Sequence, residues 1–247
     1  MSKTKLQMIC TITCFVLSVA MFVATTVAYF SDTAQISGTL TTGDVTIELT
    51  EAAVKHDDVG NLVEDPDAPR IKGVADTTVR DYGVIYPGIS IFKDPTIENT
   101  GDNAAWIAAK ITITDGDGDI FRVLGYDGFP GIDMRILLGG AILDEPTHFG
   151  TWNGIPNVRY NDKYAIVQTA DVSMGEYSFL IFFQSPFAPG EKAVLFDNFS
   201  VPEDWTNEEM QELRELTIHI QAYGVQTFDL QSCYEAMTKA FPTHFIH

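Results

Sequence analysis

Cysteine is nearly absent from this chain of 247 residues, which holds only Cys10, Cys14 and Cys233. Cys10 and Cys14 fall in an N-terminal apolar run, so the remainder keeps Cys233 alone and cannot build an internal disulfide framework. Basic residues are also scarce, 15 Lys and Arg against 34 Asp and Glu, for a formal charge of −19 and a pI near 4.4. Nothing in such a chain displaces counterions from phosphates, so nucleic acid is excluded as a partner. Docking on anionic lipid through a basic patch is excluded likewise. The five histidines are His56, His148, His219, His244 and His247. None forms an i, i+4 pair, and no His-Glu-x-x-His motif occurs. A Gly-x-Ser-x-Gly elbow and a Gly-rich phosphate loop are also missing. No catalytic residue and no cofactor is expected.

What the chain does have begins at its N-terminus. Lys3 and Lys5 precede an apolar run from about Met8 to Val27, and no charge follows Lys5 until Asp32. Thr26-Val27-Ala28 is a small-x-small cleavage site, which places the cut between Ala28 and Tyr29 and makes residues 1–28 a signal peptide. The run is also long enough to span a bilayer as a retained anchor. Cleavage would remove two lysines and no acid. The expectation is a secreted protein that meets a signal peptidase during export and the membrane only before the cut. Strong acidity then suits a protein that stays soluble when concentrated, or one that collects cations.

Downstream, short apolar-polar alternations recur. Val45, Ile47 and Leu49 form one strand; Ile89, Ile91 and Ile97 form another, broken at Pro95. Ile107, Ala109, Ile111 and Ile113 give the cleanest alternation, and residues 134–138, 164–169 and 193–199 read as further strands. A short strand at 84–86 closes on Pro87-Gly88. Residues 177–183 are apolar on both faces, as in a central strand covered twice. Residues 55–70 and 145–157 read as surface loops, the second holding His148, Trp152 and Pro156. Thr206-x-x-Glu209 and Ser232-x-x-Glu235 are capping boxes that open two short helices around a strand at 216–222. The expected fold is all-β, a jelly-roll-like antiparallel β-sandwich with two short C-terminal helices. The expected organisation is a signal peptide (1–28), an N-terminal arm (29–42) and a β-sandwich domain (43–247).

Few side chains invite a ligand. Asp115, Asp117 and Asp119 alternate in a flexible loop, which suits Ca²⁺. An EF-hand would need Gly and Glu where Ile120 and Tyr126 stand, so these three acids are a weak cation candidate beside a plain solvated loop. Cys233 lies on an apolar helical stripe and reads as a buried thiol. His219 reads as an exposed strand residue, and His244 and His247 as a frayed tail. The sequon Asn198-Phe199-Ser200 falls in an expected strand and is discounted.

Several phrases together resemble the TasA/camelysin family. They are Ala28-Tyr29-Phe30-Ser31-Asp32-Thr33-Ala34 at the junction, Thr42-Gly43-Asp44-Val45, and Tyr86-Pro87-Gly88 with Lys93-Asp94-Pro95-Thr96-Ile97-Glu98-Asn99-Thr100-Gly101. Trp205 to Glu209, then Ile218 to Gln226 and a short helix, is similar to the end of many members. The stretch from about Asp115 to Asp171 carries no such likeness. The resemblance implies a jelly-roll sandwich, a dedicated signal peptidase, and a place in the Gram-positive cell surface or biofilm matrix. It also implies self-association into fibres, in which the freed arm of one subunit adds as a strand to the next. Phe30, Ile36 and Leu40 would be the arm's apolar pegs. A camelysin-like surface metallopeptidase is the second expectation, although no zinc motif is present. A monomeric surface adhesin working through the loops at 55–70 and 145–157 is the third.

Overall fold

Alternation of apolar and small polar residues builds the longest strands. The computed structural model describes residues 31–34, 45–58, 61–73, 86–114, 138–144, 148–171, 176–206 and 217–245. Within these, β1 is Ser31–Ala34, β2 Ile47–Glu51, β3 Val54–His56, β4 Leu62–Glu64, β5 Ile71–Lys72, β6 Ser90–Phe92, β7 Thr96–Asn99 and β8 Ala105–Thr114. Then follow β9 (Leu138–Gly139), α1 (Ala141–Asp144), β10 (His148–Trp152), β11 (Ile155–Tyr160), β12 (Tyr164–Asp171), β13 (Glu176–Phe183), β14 (Lys192–Val194), β15 (Asn198–Ser200) and β16 (Thr217–Gln226). Two short helices, α2 (Cys233–Ala240) and α3 (Pro242–Phe245), close the described chain. The protein is thus an all-β, jelly-roll-like sandwich with two short C-terminal helices.

One layer is a seven-stranded antiparallel sheet in the order β1-β16-β8-β13-β12-β11-β10. The opposite layer holds two smaller sheets, β14-β7-β2-β5 and β3-β4-β6-β15-β9. Between the layers lies the main core. Ile107, Ala109, Ile111 and Ile113 of β8 enter it fully buried and meet Ile97, Leu138, Leu195 and Phe196. The alternate residues Trp106 and Ala108 point to the other face of the large sheet, into a second core roofed by Cys233, Ala236, Met237 and Phe245. Farther along β8 that face turns polar, with Lys110 and Thr112 only partly buried, so the helices roof one end of the sheet. β13 serves both cores: Phe179 and Ile181 face the sandwich, Leu180 and Phe182 the helices. That matches the doubly covered strand expected from its unbroken apolar run.

The break at Pro95 has a larger meaning than a bulge. β6 belongs to one small sheet and β7 to the other, so the chain changes sheets at Lys93–Pro95. The returning chain changes with it. β14 pairs with β7 and β15 with β6, while Leu195 N–H donates to the Pro95 carbonyl at 2.9 Å. The single strand expected at 193–199 is therefore two.

Both expected surface loops contain hairpins. β3 and β4 pair antiparallel over Val54 to Glu64, overlapping the first. β10 and β11 pair over 148–160, overlapping the loop expected at 145–157 and running past it, closed by Asn153-Gly154 with φ of 48° and 83°. Two successive positive φ values are what a two-residue hairpin turn of matching twist requires, and Asn-Gly supplies them cheaply. The expected helix after Thr206, residues 84–85 of one expected strand and residues 134–137 of another lie outside the described residues. The second capping box is present. The Ser232 hydroxyl accepts from Glu235 N–H at 3.1 Å. The Glu235 carboxylate accepts from Gln231 N–H at 2.9 Å, one residue earlier than the usual reciprocal bond to the cap residue. Lys239 one turn on holds Glu235 at 2.7 Å, and this contact with the Gln231 bond keeps its carboxyl below the ordinary glutamate range.

His244 was expected in a frayed tail, but it sits in α3, which Phe245 anchors at 1% exposure. Its ring lies 5.5 Å from that of Tyr223. His247 lies outside the described residues. Cys233 is buried, and its thiol donates to the Ile107 carbonyl at 2.9 Å. Burial drives that thiol far above its usual pKa, so the thiolate does not form at ordinary pH. The folded protein is therefore expected to resist maleimide at pH 8 and to react once unfolded in urea; prompt labelling of folded protein would show the roof over β8 to be open.

Candidate functional site

β16 organises the part of the molecule to which the N-terminal arm belongs. Its apolar alternation places Ala222 toward the sandwich core and Tyr223 and Val225 toward the helices. On the helix side Tyr223 is fully buried, its ring 5.1 Å from Phe241 and 4.8 Å from Phe245. Burial raises its phenol to about 12, and the hydroxyl donates to Gln221 at 3.0 Å. On the sandwich side Gly224 leaves no room for a side chain. A Cβ there would stand 3.0 Å from both Val45 Cγ1 and Ile47 Cγ2. β2 thus packs directly on the backbone of β16 near its end.

One edge of β16 is taken along its length by β8, from Thr217↔Thr114 to Gln226↔Ala105. Against the other edge lies β1, antiparallel, with Ser31↔Val225, Asp32↔Gly224, Thr33↔Tyr223 and Ala34↔Ala222. The stretch expected to act as a free arm thus closes the edge of its own sheet over four residues. Among the described residues β1 is the last strand of this sheet. Thr26, Ala28 and Tyr29 of the cleavage site and the pegs Phe30, Ile36 and Leu40 lie outside the described residues, as do Asp115, Asp117 and Asp119.

The Lys93-to-Gly101 phrase proves to be a structural clamp at the sheet crossover. Asp94 Oδ1 accepts from Ala52 N–H at 2.8 Å, and Oδ2 accepts from Arg70 Nη1 at 2.7 Å. Arg70 Nη2 also reaches the Asp94 carbonyl at 3.1 Å and Thr96 Oγ1 at 2.8 Å. Lys93 Nζ meets Glu51 at 2.6 Å in largely buried surroundings. Asn99 is fully buried; its amide donates to the Asn103 and Phe187 carbonyls and its oxygen accepts from Gly101 N–H. These residues tie β2, β5 and β7 together and leave no reactive group open. Arg70 carries no motif of its own and only the fold brings it to Asp94.

His219 is exposed on β16, as expected. Among the described residues no group of three or more His, Cys, Asp or Glu side chains is placed to hold a metal ion. Among them, too, no helix is long and apolar enough to cross a membrane. No family model matches the chain, and no curated protein or solved structure matches it either.

Proposed function

We propose that the protein is a secreted structural subunit of the cell surface or biofilm matrix, released by cleavage after Ala28, that assembles into fibres by donating its N-terminal arm. The observation that supports this reading is the place of β1 at the sheet edge, held to β16 by a ladder of four residue pairs. Each backbone hydrogen bond contributes a net of about 1 kcal/mol, so a ladder this short opens at modest cost. An arm from a neighbouring copy makes the same ladder on the vacated β16. The exchange is then nearly neutral in energy and is driven by concentration and by the freedom of the arm once the signal peptide is gone. Head-to-tail exchange of this kind grows filaments when the rotation between copies does not close a ring.

Residues 43 onward supply the rigid body and the arm supplies the joint. The protein beginning at Tyr29 is expected to form fibres by electron microscopy. A variant lacking residues 29–40 is expected to form none, while its circular dichroism stays that of a β protein. Equal polymerisation of the two would overturn the proposal.

A further inference from the structure

Asparagine followed by glycine is the pair at which a protein chain most readily reacts with itself. Glycine has no side chain to screen its amide nitrogen, so that nitrogen can reach the carbonyl carbon of the preceding side chain. The chain holds one such pair, Asn153-Gly154. It forms the tip of the β10–β11 hairpin, where Trp152 and Ile155 pair on either side of it. Both residues of the tip are exposed, and a Cβ at Gly154 would meet nothing within 4 Å. Among the described residues no hydrogen bond holds the Asn153 side chain or the Gly154 N–H. A tip without buried contacts opens at little cost, which frees the rotation that the reaction needs.

The other described asparagines are better protected. Each precedes a residue that carries a side chain. Four of them are also tied. The Asn61 amide donates to Asp57 at 3.0 Å and the Asn198 amide to Asp197 at 2.6 Å. Asn99 is buried and donates to two carbonyls. The Asn161 oxygen accepts from the Lys163 and Tyr164 N–H groups, both at 2.8 Å.

We propose that Asn153 is a self-modifying site, at which the folded protein deamidates in water without an enzyme. The Gly154 nitrogen attacks Asn153 Cγ, and its proton passes through solvent to Nδ2. The Cγ–Nδ2 bond breaks and Nδ2 leaves as ammonia, closing a succinimide ring. Water then opens the ring, so one water is consumed and one ammonia released. Breaking the new Cγ–N bond gives aspartate. Breaking the old backbone C–N bond gives isoaspartate, whose main chain runs through Cβ and Cγ. Either product adds one negative charge, but they differ mechanically. Asp-Gly fits the same left-handed turn, with φ of 48° and 83°, as Asn-Gly does. Isoaspartate lengthens the main chain by a methylene in a connection whose length selects the turn type. The pairing of Trp152 with Ile155 then no longer fits, and the Trp152 ring lies 5.5 Å from Tyr234 of α2. Ageing at this position thus loosens the hairpin's contact with the helical roof.

Held at mildly alkaline pH, the chain starting at Tyr29 is expected to yield a more acidic form on isoelectric focusing. Its rate should not depend on protein concentration, and peptide mapping should place the change at Asn153 before any other asparagine. Asn153→Gln is expected to lose that form, since glutamine closes its larger ring far more slowly. Once the two products are separated, the isoaspartate form is expected to unfold at a lower urea midpoint than the aspartate form, which should match the starting protein. A first acidic form that maps to another asparagine overturns the proposal. So does an Asn153 that stays intact while a free peptide of residues 148–160 converts completely. Equal midpoints for the two products would overturn the effect on the hairpin. None of these readouts depends on fibre formation through the arm.

Discussion

Phe182→Ala is expected to lower stability by about 3–5 kcal/mol, the range for removing a large aromatic ring from a packed core. The ring is 1% exposed and lies at 5.2 Å from Trp152, 5.7 Å from Tyr234 and 5.4 Å from Phe245. Its flanking partners in the sheet are Ala165 and Ala108, whose small side chains make the room it fills. Truncation therefore leaves a cavity that neither strand neighbour can enter. α2 and α3 would lose the ring packed against Tyr234 and Phe245, loosening the roof that holds Cys233. Urea unfolding should show a lower midpoint with an unchanged slope, and Cys233 should label faster than in the parent. Phe228 is 82% exposed, and its change to alanine is expected to stay within about 0.5 kcal/mol. Equal losses at the two positions would mean that the helices do not pack on β13 as described.

Asp94→Ala is expected to cost about 2–4 kcal/mol, because it removes an acceptor from two donors rather than one. Ala52 is 3% exposed, so its N–H, now held by Oδ1, would lose that acceptor in buried surroundings. Arg70 would lose its charged partner and keep only Thr50, Thr96 and the Asp94 carbonyl. Asp94→Asn retains an acceptor for Ala52 and should cost about half as much or less. Because the two groups share one contact, Arg70→Ala combined with Asp94→Ala should cost less than the sum of the single changes. Strict additivity in that cycle would show the pair to be uncoupled. The clamp holds the Ala52 end of β2, whereas Val45 and Ile47 at the other end meet β16, so fibres formed through the arm should survive Asp94→Asn.

The large sheet was legible because its strands obey a period of two over many residues. Ile107 to Ile113 and Ile218 to Ala222 could be assigned a buried face from the sequence alone, and Tyr177 to Phe183 two such faces. The smaller sheets were harder. Their strands run for two to five residues, too few for a period to show, and each chain segment crosses between sheets at a point marked only by Pro95. The β10–β11 hairpin did carry a signal, Asn153-Gly154 between Trp152 and Ile155, but Pro156 and the polar residues around it favoured a loop reading. In the Lys93-to-Gly101 phrase the residues stood out and their task did not. Partners such as Arg70, Ala52 and Phe187 are distant in sequence, and only folding makes them neighbours. Residues 31–34 are the reverse case: the junction singled them out, while their seat against β16 came only from the register.

That seat carries a consequence for timing. β1 lies at the start of the described chain and β16 close to its end, so their ladder closes one of the longest loops the molecule contains. Contacts of such separation form late, after the rest has condensed. A chain emerging N-terminus first presents the arm long before its own receptor strand exists. During that interval the backbone groups of β1 are satisfied by water. If copies exchange arms as proposed, the order of emergence, and not only the final energy, would set whether β1 closes on its own β16 or on a neighbour's.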